Sequence, residues 1–161
     1  MMGSGKSVIG KILANKIDYN FIDIDKMIEV ETKKTIKKIF EEDGEEYFRD
    51  LEEKITISTL EHKKTIISLG GGAIINKKIR NSIKRNSYNI YLKVDLDILT
   101  KRLQNSKTRP LIYKKNLKKE LINLMSYREK FYQKADLIVN NENNIIETTE
   151  KIIKKINKLN E

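Results

Sequence analysis

The sequence contains no cysteine and no tryptophan, and only one proline and one histidine among its 161 residues. Without cysteine it can form no disulfide framework, no thiolate nucleophile and no cysteine-based metal site. It also has no apolar stretch near the length that crosses a bilayer, and it begins without the apolar run of a secretory signal. We therefore expect a cytoplasmic protein, and this length suits a single domain with one core over residues 1–161.

Positive charge is in excess, with 33 Lys and Arg against 23 Asp and Glu and a net charge of +10. Such a balance raises nucleic acid as a partner. The lysines are scattered, however, and are not interleaved with aromatic residues that would stack on bases. A positive surface also attracts small anions such as ATP. We expect a monomer that binds a small-molecule substrate, without a nucleic-acid or membrane partner.

Short apolar runs alternate with longer helical patterns along the chain. Runs rich in β-branched and aromatic residues predict strands at 21–24, 65–69, 89–94 and 137–139. Helices are predicted at 6–16, 27–40, 44–61, 77–84, 96–104, 115–134 and 145–159. This alternation predicts an α/β fold with a parallel sheet and crossover helices.

The glycine-rich segment at residues 3–7, GSGKS, matches the end of the phosphate-binding motif G-x-x-x-x-G-K-[ST]. Its backbone N–H groups, at a helix N-terminus, would bind nucleotide phosphates. Lys6 would reach the β- and γ-phosphates, and the Ser7 hydroxyl would ligate Mg²⁺. The motif's first glycine would lie before Met1, so we expect the strand that leads into such a loop to be missing. The alternative is a glycine- and serine-rich N-terminus that arose by chance.

Two aspartates, Asp23 and Asp25, lie at the end of the first predicted strand. Because strand side chains alternate, both would share a face at the carboxyl edge of the sheet, where α/β proteins bind ligands. One could orient metal-bound water, and the other could accept a hydrogen bond from a substrate hydroxyl. The alternative for Asp25 is a helix N-cap, and the residues alone leave this choice open.

Arg49 and the glycine triplet at 70–72 are the next candidates. Arg49 is a lone arginine in an acidic helical stretch, and the alternative is a surface residue paired with Glu46 or Glu52. The triplet follows a predicted strand directly and would offer backbone amides to a ligand. The alternative for it is a simple turn.

Two further arginines lie in the second half of the chain. Arg109 belongs to a polar, basic stretch at 104–116 that contains the only proline, and we interpret this stretch as a lid. Arg128 lies in a Tyr-Arg-Glu segment. Either arginine could neutralise a transferring phosphoryl group or pair with a carboxylate.

Together these segments resemble the shikimate kinase family. The resemblance runs in order through nearly the whole chain, as MGSGKS, FIDIDKMIE, EEYFRDLE, SLGGGAI, TRPLI and the Tyr-Arg-Glu segment. It implies transfer of the γ-phosphate of ATP to the 3-hydroxyl of shikimate, with Mg²⁺, in the pathway to chorismate and aromatic amino acids. The alternatives are another small P-loop kinase such as a gluconate kinase, a non-catalytic or truncated paralogue, and a nucleic-acid-binding module.

The resemblance also implies the site residues. Those for the substrate are Asp25, Arg49, Gly70, Gly71, Gly72 and Arg128, with Asp25 as the candidate base and both arginines on the substrate carboxylate. Those for the nucleotide are Gly3, Ser4, Gly5, Lys6, Ser7, Val8, Arg102, Arg109 and Asn140. Ser7 and Asp23 would hold Mg²⁺, and Lys6 and Arg109 would join Asp25 as catalytic residues.

The family fold is a five-stranded parallel sheet of the nucleoside monophosphate kinase type, with a substrate-binding region here at about 25–53. Its first strand lies in the middle of the sheet, between the strands that we predict at 65–69 and 89–94. We therefore expect the sheet of this chain to lack its central strand, and the natural protein to begin before Met1.

Overall fold

The computed structural model describes residues 1–104, 117–141 and 144–158. Within these residues the helices are α1 Lys6–Lys16, α2 Ile24–Thr32, α3 Ile36–Glu42, α4 Gly44–Thr59, α5 Lys77–Asn86, α6 Leu96–Gln104, α7 Leu117–Tyr132 and α8 Ile145–Asn157. The strands are β1 Asn20–Asp23, β2 Thr65–Ser68, β3 Ile90–Lys93 and β4 Leu137–Asn140, and a short 3₁₀ helix covers Ala73–Ile75. The alternation of strands and helices confirms the α/β class. No helix in these ranges is both long and apolar enough to cross a membrane.

The helix predicted at 27–40 is two helices, so that prediction is wrong. Lys33 adopts a left-handed conformation, with φ of 55°, and ends α2. Thr35 then caps α3, because its side chain accepts a hydrogen bond from the Lys38 N–H at 3.3 Å. Ile28 and Ile39 are both buried in one cluster, so the apolar pattern continues across the break and conceals it from the sequence.

The strand predicted at 21–24 ends one residue earlier, and this changes the interpretation of both aspartates. Asp23 ends β1 and caps α2, since its carboxylate accepts a hydrogen bond from the Lys26 N–H at 3.3 Å. Asp25 lies in the first turn of α2. The prediction that both aspartates share one face of a strand is therefore wrong, and the capping residue is Asp23 and not Asp25.

The described strands form two separate parallel pairs. β1 pairs with β2 from Asn20↔Thr65 to Asp23↔Ser68, and β3 pairs with β4 from Ile90↔Leu137 to Lys93↔Asn140. No described strand joins β2 to β3. A cavity of about 970 Å³ is lined by residues of β2, β3, α1 and α8, and Met1 also lies in its wall. The sheet is thus interrupted between β2 and β3, which are the two strands between which the sequence predicts a missing strand.

Side-chain packing holds the two strand pairs together. One buried cluster contains Ile9 and Leu13 of α1, Leu92 of β3, Val139 of β4 and Ile152 of α8, with Ile66 of β2 packed against it. A second cluster gathers α2, α3 and α4 around Ile24, Ile28, Ile39, Phe48 and Ile55. These three helices span most of the predicted substrate-binding region and place it beside the end of β1.

The cavity predicts that an apolar segment added before Met1 stabilises the chain. Burial of about four aliphatic side chains contributes at most roughly 6–12 kcal/mol, at ~1.5–3 kcal/mol each. An added strand would also pair the edges of β2 and β3. In urea unfolding, a segment rich in valine and isoleucine should raise the free energy of unfolding well above that given by a Gly-Ser segment of equal length. Equal stability of the two would show that the cavity accepts no strand.

Candidate active site

The segment before α1 has the backbone of an anion-binding loop. Gly3 and Gly5 have φ of 72° and 84°, in the left-handed region that side chains disfavour. Gly5 is the N-cap of α1, and no side chain among the described residues caps this helix end. The first N–H groups of α1 are therefore available to a negatively charged group, which the helix dipole also favours.

Two basic side chains lie along this loop. The Lys6 ammonium donates a hydrogen bond to the Met1 carbonyl at 2.8 Å. The Arg102 guanidinium, from α6, donates to the Gly3 carbonyl at 3.3 Å. Positive charge therefore lies along the loop that the sequence predicts for phosphates.

Ser7 and Asp23 form an oxygen pair beside the loop. The Ser7 hydroxyl lies 2.5 Å from the Asp23 Oδ2 atom and 3.5 Å from the Ser68 hydroxyl. A hydroxyl and a carboxylate are ligands that Mg²⁺ accepts, and this ion usually keeps several waters and phosphate oxygens as its other ligands. The described residues contain no cluster of three or more acidic or histidine side chains that could hold a metal ion. The pair thus fits a magnesium ion that shares its coordination with a nucleotide.

The glycine triplet that follows β2 lies directly against charged side chains. A Cβ atom on Gly70 would collide with Glu52 Oε1 and lie 3.0 Å from Asp25 Oδ1. A Cβ atom on Gly72 would lie 2.8 Å from Arg49 Nη1, closer than real Cβ contacts. Because these positions carry no Cβ atom, the backbone lies directly against the charged ends of these side chains. The alternative of a simple turn stays open.

Gly71, at the centre of the triplet, contacts α7 and the phosphate loop segment. A Cβ atom there would lie 3.5 Å from Arg128 Nη1 and 3.2 Å from the Met2 nitrogen. The Tyr132 hydroxyl donates to the Gly71 carbonyl at 2.6 Å. Burial raises the pKa of this hydroxyl, although the Arg128 charge acts in the opposite direction, so Tyr132 stays a proton donor.

The structure thus brings the predicted substrate residues together. Asp25 from α2, Arg49 from α4 and Arg128 from α7 all lie against one three-residue segment of backbone. Arg128 is only 5% exposed, and its Nε atom has no hydrogen-bond partner among the described residues. A buried guanidinium with an unused donor is suited to bind an anionic group.

Glu52 is a site residue that sequence reasoning took only as a surface partner of Arg49. Glu52 is 1% exposed, and its Oε2 atom lies 2.6 Å from Arg49 Nη1. The second ion pair of Arg49 is with Glu45 and not with Glu46. Burial raises the pKa of the Glu52 carboxyl, the Arg49 charge opposes this shift, and the Asp25 charge adds to it. The i, i+3 spacing in FRDLE was the available signal, but spacing does not show that the glutamate is buried.

A family model described as "Shikimate kinase" matches residues 2–158. The chain belongs to the shikimate kinase family. It is 43% identical over 140 residues to a shikimate kinase of Bartonella quintana, an alignment that covers 87% of this chain and 67% of that protein. It is 39% identical over 163 residues to a shikimate kinase of Chlorobaculum parvum, covering 96% and 87%.

A solved shikimate kinase from Acinetobacter baumannii, in complex with shikimate, has a similar structure. Its TM-score is 0.94 at 30% identity, and the match covers 98% of this chain and 89% of that one. As a member of this family the chain is an ATP-dependent phosphotransferase.

Arg109, Val8 and Asn140 are three of the residues that the sequence predicts at the nucleotide. Arg109 and the proposed lid lie outside the described residues, apart from Gln104 at the end of α6. Val8 is half-exposed on α1, and Asn140 is exposed at the end of β4. Their contacts with ATP stay predictions, as do the ligand contacts of the other site residues.

Glu52 and its neighbour Glu53 should affect stability with opposite pH dependence. The raised pKa of Glu52 means that its contribution to stability is fully present below its unfolded pKa, near 4.5, and is lost as pH rises through the folded pKa. Relative to wild type, Glu52→Gln should therefore become more stable as pH rises from about 4 to about 7.

Glu53→Gln is the matched control. Hydrogen bonds from Lys78 and Asn76 lower the pKa of Glu53, so this variant should become less stable than wild type over the same pH interval. Urea unfolding at a series of pH values measures both. Parallel pH profiles for the two variants would contradict the buried environment of Glu52.

Proposed function

We propose that this chain transfers the γ-phosphate of ATP to the 3-hydroxyl of shikimate, giving shikimate 3-phosphate and ADP. The observation that carries the proposal is the convergence of Asp25, Arg49 and Arg128 on the glycine triplet, next to the phosphate loop segment. A carboxylated polyol needs cations for its carboxylate and an acceptor for the proton of its attacking hydroxyl. All three groups are present at one place.

The two arginines bind the substrate carboxylate in this proposal. Arg128 has an unused buried donor, and Arg49 is held by Glu45 and Glu52 on the same helix. A planar guanidinium that is already oriented forms paired hydrogen bonds with a carboxylate and loses less freedom on binding. Asp25 accepts the proton of the attacking hydroxyl.

The loop at residues 3–7 and α1 bind the phosphates of ATP. The open N–H groups of α1 face the anion, and Lys6 exchanges the Met1 carbonyl for phosphate oxygens. Ser7 and Asp23 hold Mg²⁺, which neutralises charge on the phosphates when it is bound. Because phosphoryl transfer is mainly positioning and charge stabilisation, these residues act by aligning the two substrates.

The same proposal includes a monomeric, cytoplasmic enzyme without a nucleic-acid or membrane partner. Among the described residues, the most exposed apolar side chains, Val30, Ile146 and Tyr127, lie on three different helices, which supports a monomer. Sedimentation velocity tests the monomer. A salt-titrated binding assay with duplex and single-stranded DNA tests the absence of a nucleic-acid partner.

A coupled assay of ADP release tests the reaction. Wild type should turn over with shikimate and ATP, and Asp25→Asn should lower kcat by roughly 10²–10⁴-fold, the usual contribution of a general base. Binding of ATP, measured separately by calorimetry, should not change. Turnover with gluconate and none with shikimate would overturn the substrate assignment, and full activity of Asp25→Asn would overturn the role of this residue.

Arg49→Ala and Lys6→Ala should affect different steps. Loss of a charge-assisted hydrogen bond costs about 1.5–3 kcal/mol, so Arg49→Ala should raise KM for shikimate roughly 10- to 150-fold. Lys6→Ala should abolish measurable turnover, because it removes the cation that this proposal places on the β- and γ-phosphates. Steady-state kinetics with each substrate varied in turn separates the two.

Arg85→Ala is the control for these variants, because Arg85 is an exposed arginine near the end of α5 and its loss changes the net charge equally. Its kinetics should match wild type. Small and equal effects from Arg49→Ala and Lys6→Ala would contradict the separate roles of a carboxylate ligand and a phosphate ligand.

A further inference from the structure

Asn141 is a buried polar residue directly after β4, and the reaction as proposed gives it no role. It is 1% exposed. Its backbone N–H donates to the Lys93 carbonyl at 2.8 Å, which continues the pairing of β3 with β4. The sheet therefore holds the Asn141 backbone in place, and its side chain projects from a rigid position.

The Asn141 amide is bound at both ends. Its Nδ2 atom donates to the Ser4 carbonyl at 2.7 Å, and its Oδ1 atom accepts from the Thr148 hydroxyl at 3.2 Å. Thr148 is itself buried at the start of α8, and its one hydroxyl proton is shared between Asn141 Oδ1 and the Asn144 carbonyl, which lies 2.8 Å away. Buried hydrogen bonds of this kind are strong and directional, since no water competes for them.

This contact determines the direction of one N–H group in the phosphate loop. The carbonyl of Ser4 and the N–H of Gly5 belong to the same planar trans peptide, so they point in opposite directions. Because Asn141 holds the Ser4 carbonyl inward, the Gly5 N–H must point away from Asn141. A flipped peptide would place that N–H against the Nδ2 donor and would lose the 2.7 Å hydrogen bond to the Ser4 carbonyl.

We propose that Asn141 is a positioning residue for nucleotide binding, which turns the Gly5 N–H toward a phosphate of the nucleotide. The inference rests on the proposed use of ATP at this loop. Gly5 is the N-cap of α1, and its N–H adds to the N–H groups of the first turn, which have no acceptor within the helix. Asn141 itself touches no ligand and acts only through the Ser4–Gly5 peptide.

Asn141→Leu tests this role, because leucine has a similar size and cannot hold the Ser4 carbonyl. Thr148→Val is the matched control, since it removes the other buried hydrogen bond of the amide and leaves Ser4 held. We expect Asn141→Leu to raise the Kd for ADP about tenfold or more, the effect of one lost oriented hydrogen bond. The Kd for shikimate should not change, and Thr148→Val should keep the wild-type Kd for ADP.

A purely structural role would give a different pattern, in which both variants lose stability and both ligands weaken in proportion. That pattern, or an unchanged Kd for ADP in Asn141→Leu, would overturn the inference. The wild-type chain gives a second measurement that does not depend on the variant folding. Addition of ADP should shift the Gly5 amide proton resonance downfield, and an unchanged resonance in the presence of bound ADP would also overturn it.

The proposed function can fail separately. If wild type binds ADP and the two variants behave as expected, but no phosphate reaches shikimate, the substrate assignment is wrong and the role of Asn141 stands. If wild type binds no ADP, both proposals are overturned.

Discussion

The site depends on the parallel register of β1 and β2, in which Asp23 is paired with Ser68. Because both strands end at the same level, the turn into α2 and the glycine triplet leave the sheet at one edge. Ser7, in the first turn of α1, contacts the side chains of both strand ends. One register therefore places the phosphate loop, the oxygen pair suited to Mg²⁺ and the substrate residues beside one another. A slip of one residue would reverse the direction of these side chains and separate them.

Burial of the charged residues at this edge destabilises the folded state, and contacts among the described residues compensate for this only in part. Glu52 and Arg128 each retain a buried side-chain atom without a hydrogen-bond partner among the described residues, and such atoms usually destabilise a fold. Arg49 and Glu52 compensate one another only in part, since the pKa of Glu52 stays raised. A carboxylate ligand would supply an acceptor for the unpaired Arg128 Nε atom, whereas Glu52 Oε1 would need a hydrogen-bond donor.

The two halves of the site are joined by side chains rather than by a continuous sheet. α1 packs against β2 on one side and α8 on the other, through Ile9 and Leu13. Asn141 and Arg102 add polar contacts from the β3–β4 half to the loop before α1. Side-chain packing therefore takes the place of strand pairing between β2 and β3.

Local patterns in the sequence were enough for most of the secondary structure and for a set of candidate site residues, whose ligand contacts stay predictions. The predicted bounds of α1 and α6 agree with the structure, because amphipathic periodicity depends on neighbours three and four residues apart. The phosphate loop, the arginines and the glycine triplet were identified by residue type and order. The break between α2 and α3 was not, since the left-handed turn at Lys33 interrupts an apolar pattern that continues on both sides.

The sequence by itself determined the family and with it the ATP-dependent phosphotransferase activity, because the segments GSGKS, FIDID, FRDLE, GGG and TRPLI occur in the family's order. Only the tertiary structure decided which of these groups are buried and which are oriented. Glu52 lies against the glycine triplet only in the folded chain, and Asn141 contacts the phosphate loop across a separation of 137 residues. Contacts over such separations depend on how strands and helices pack, and no local pattern records them.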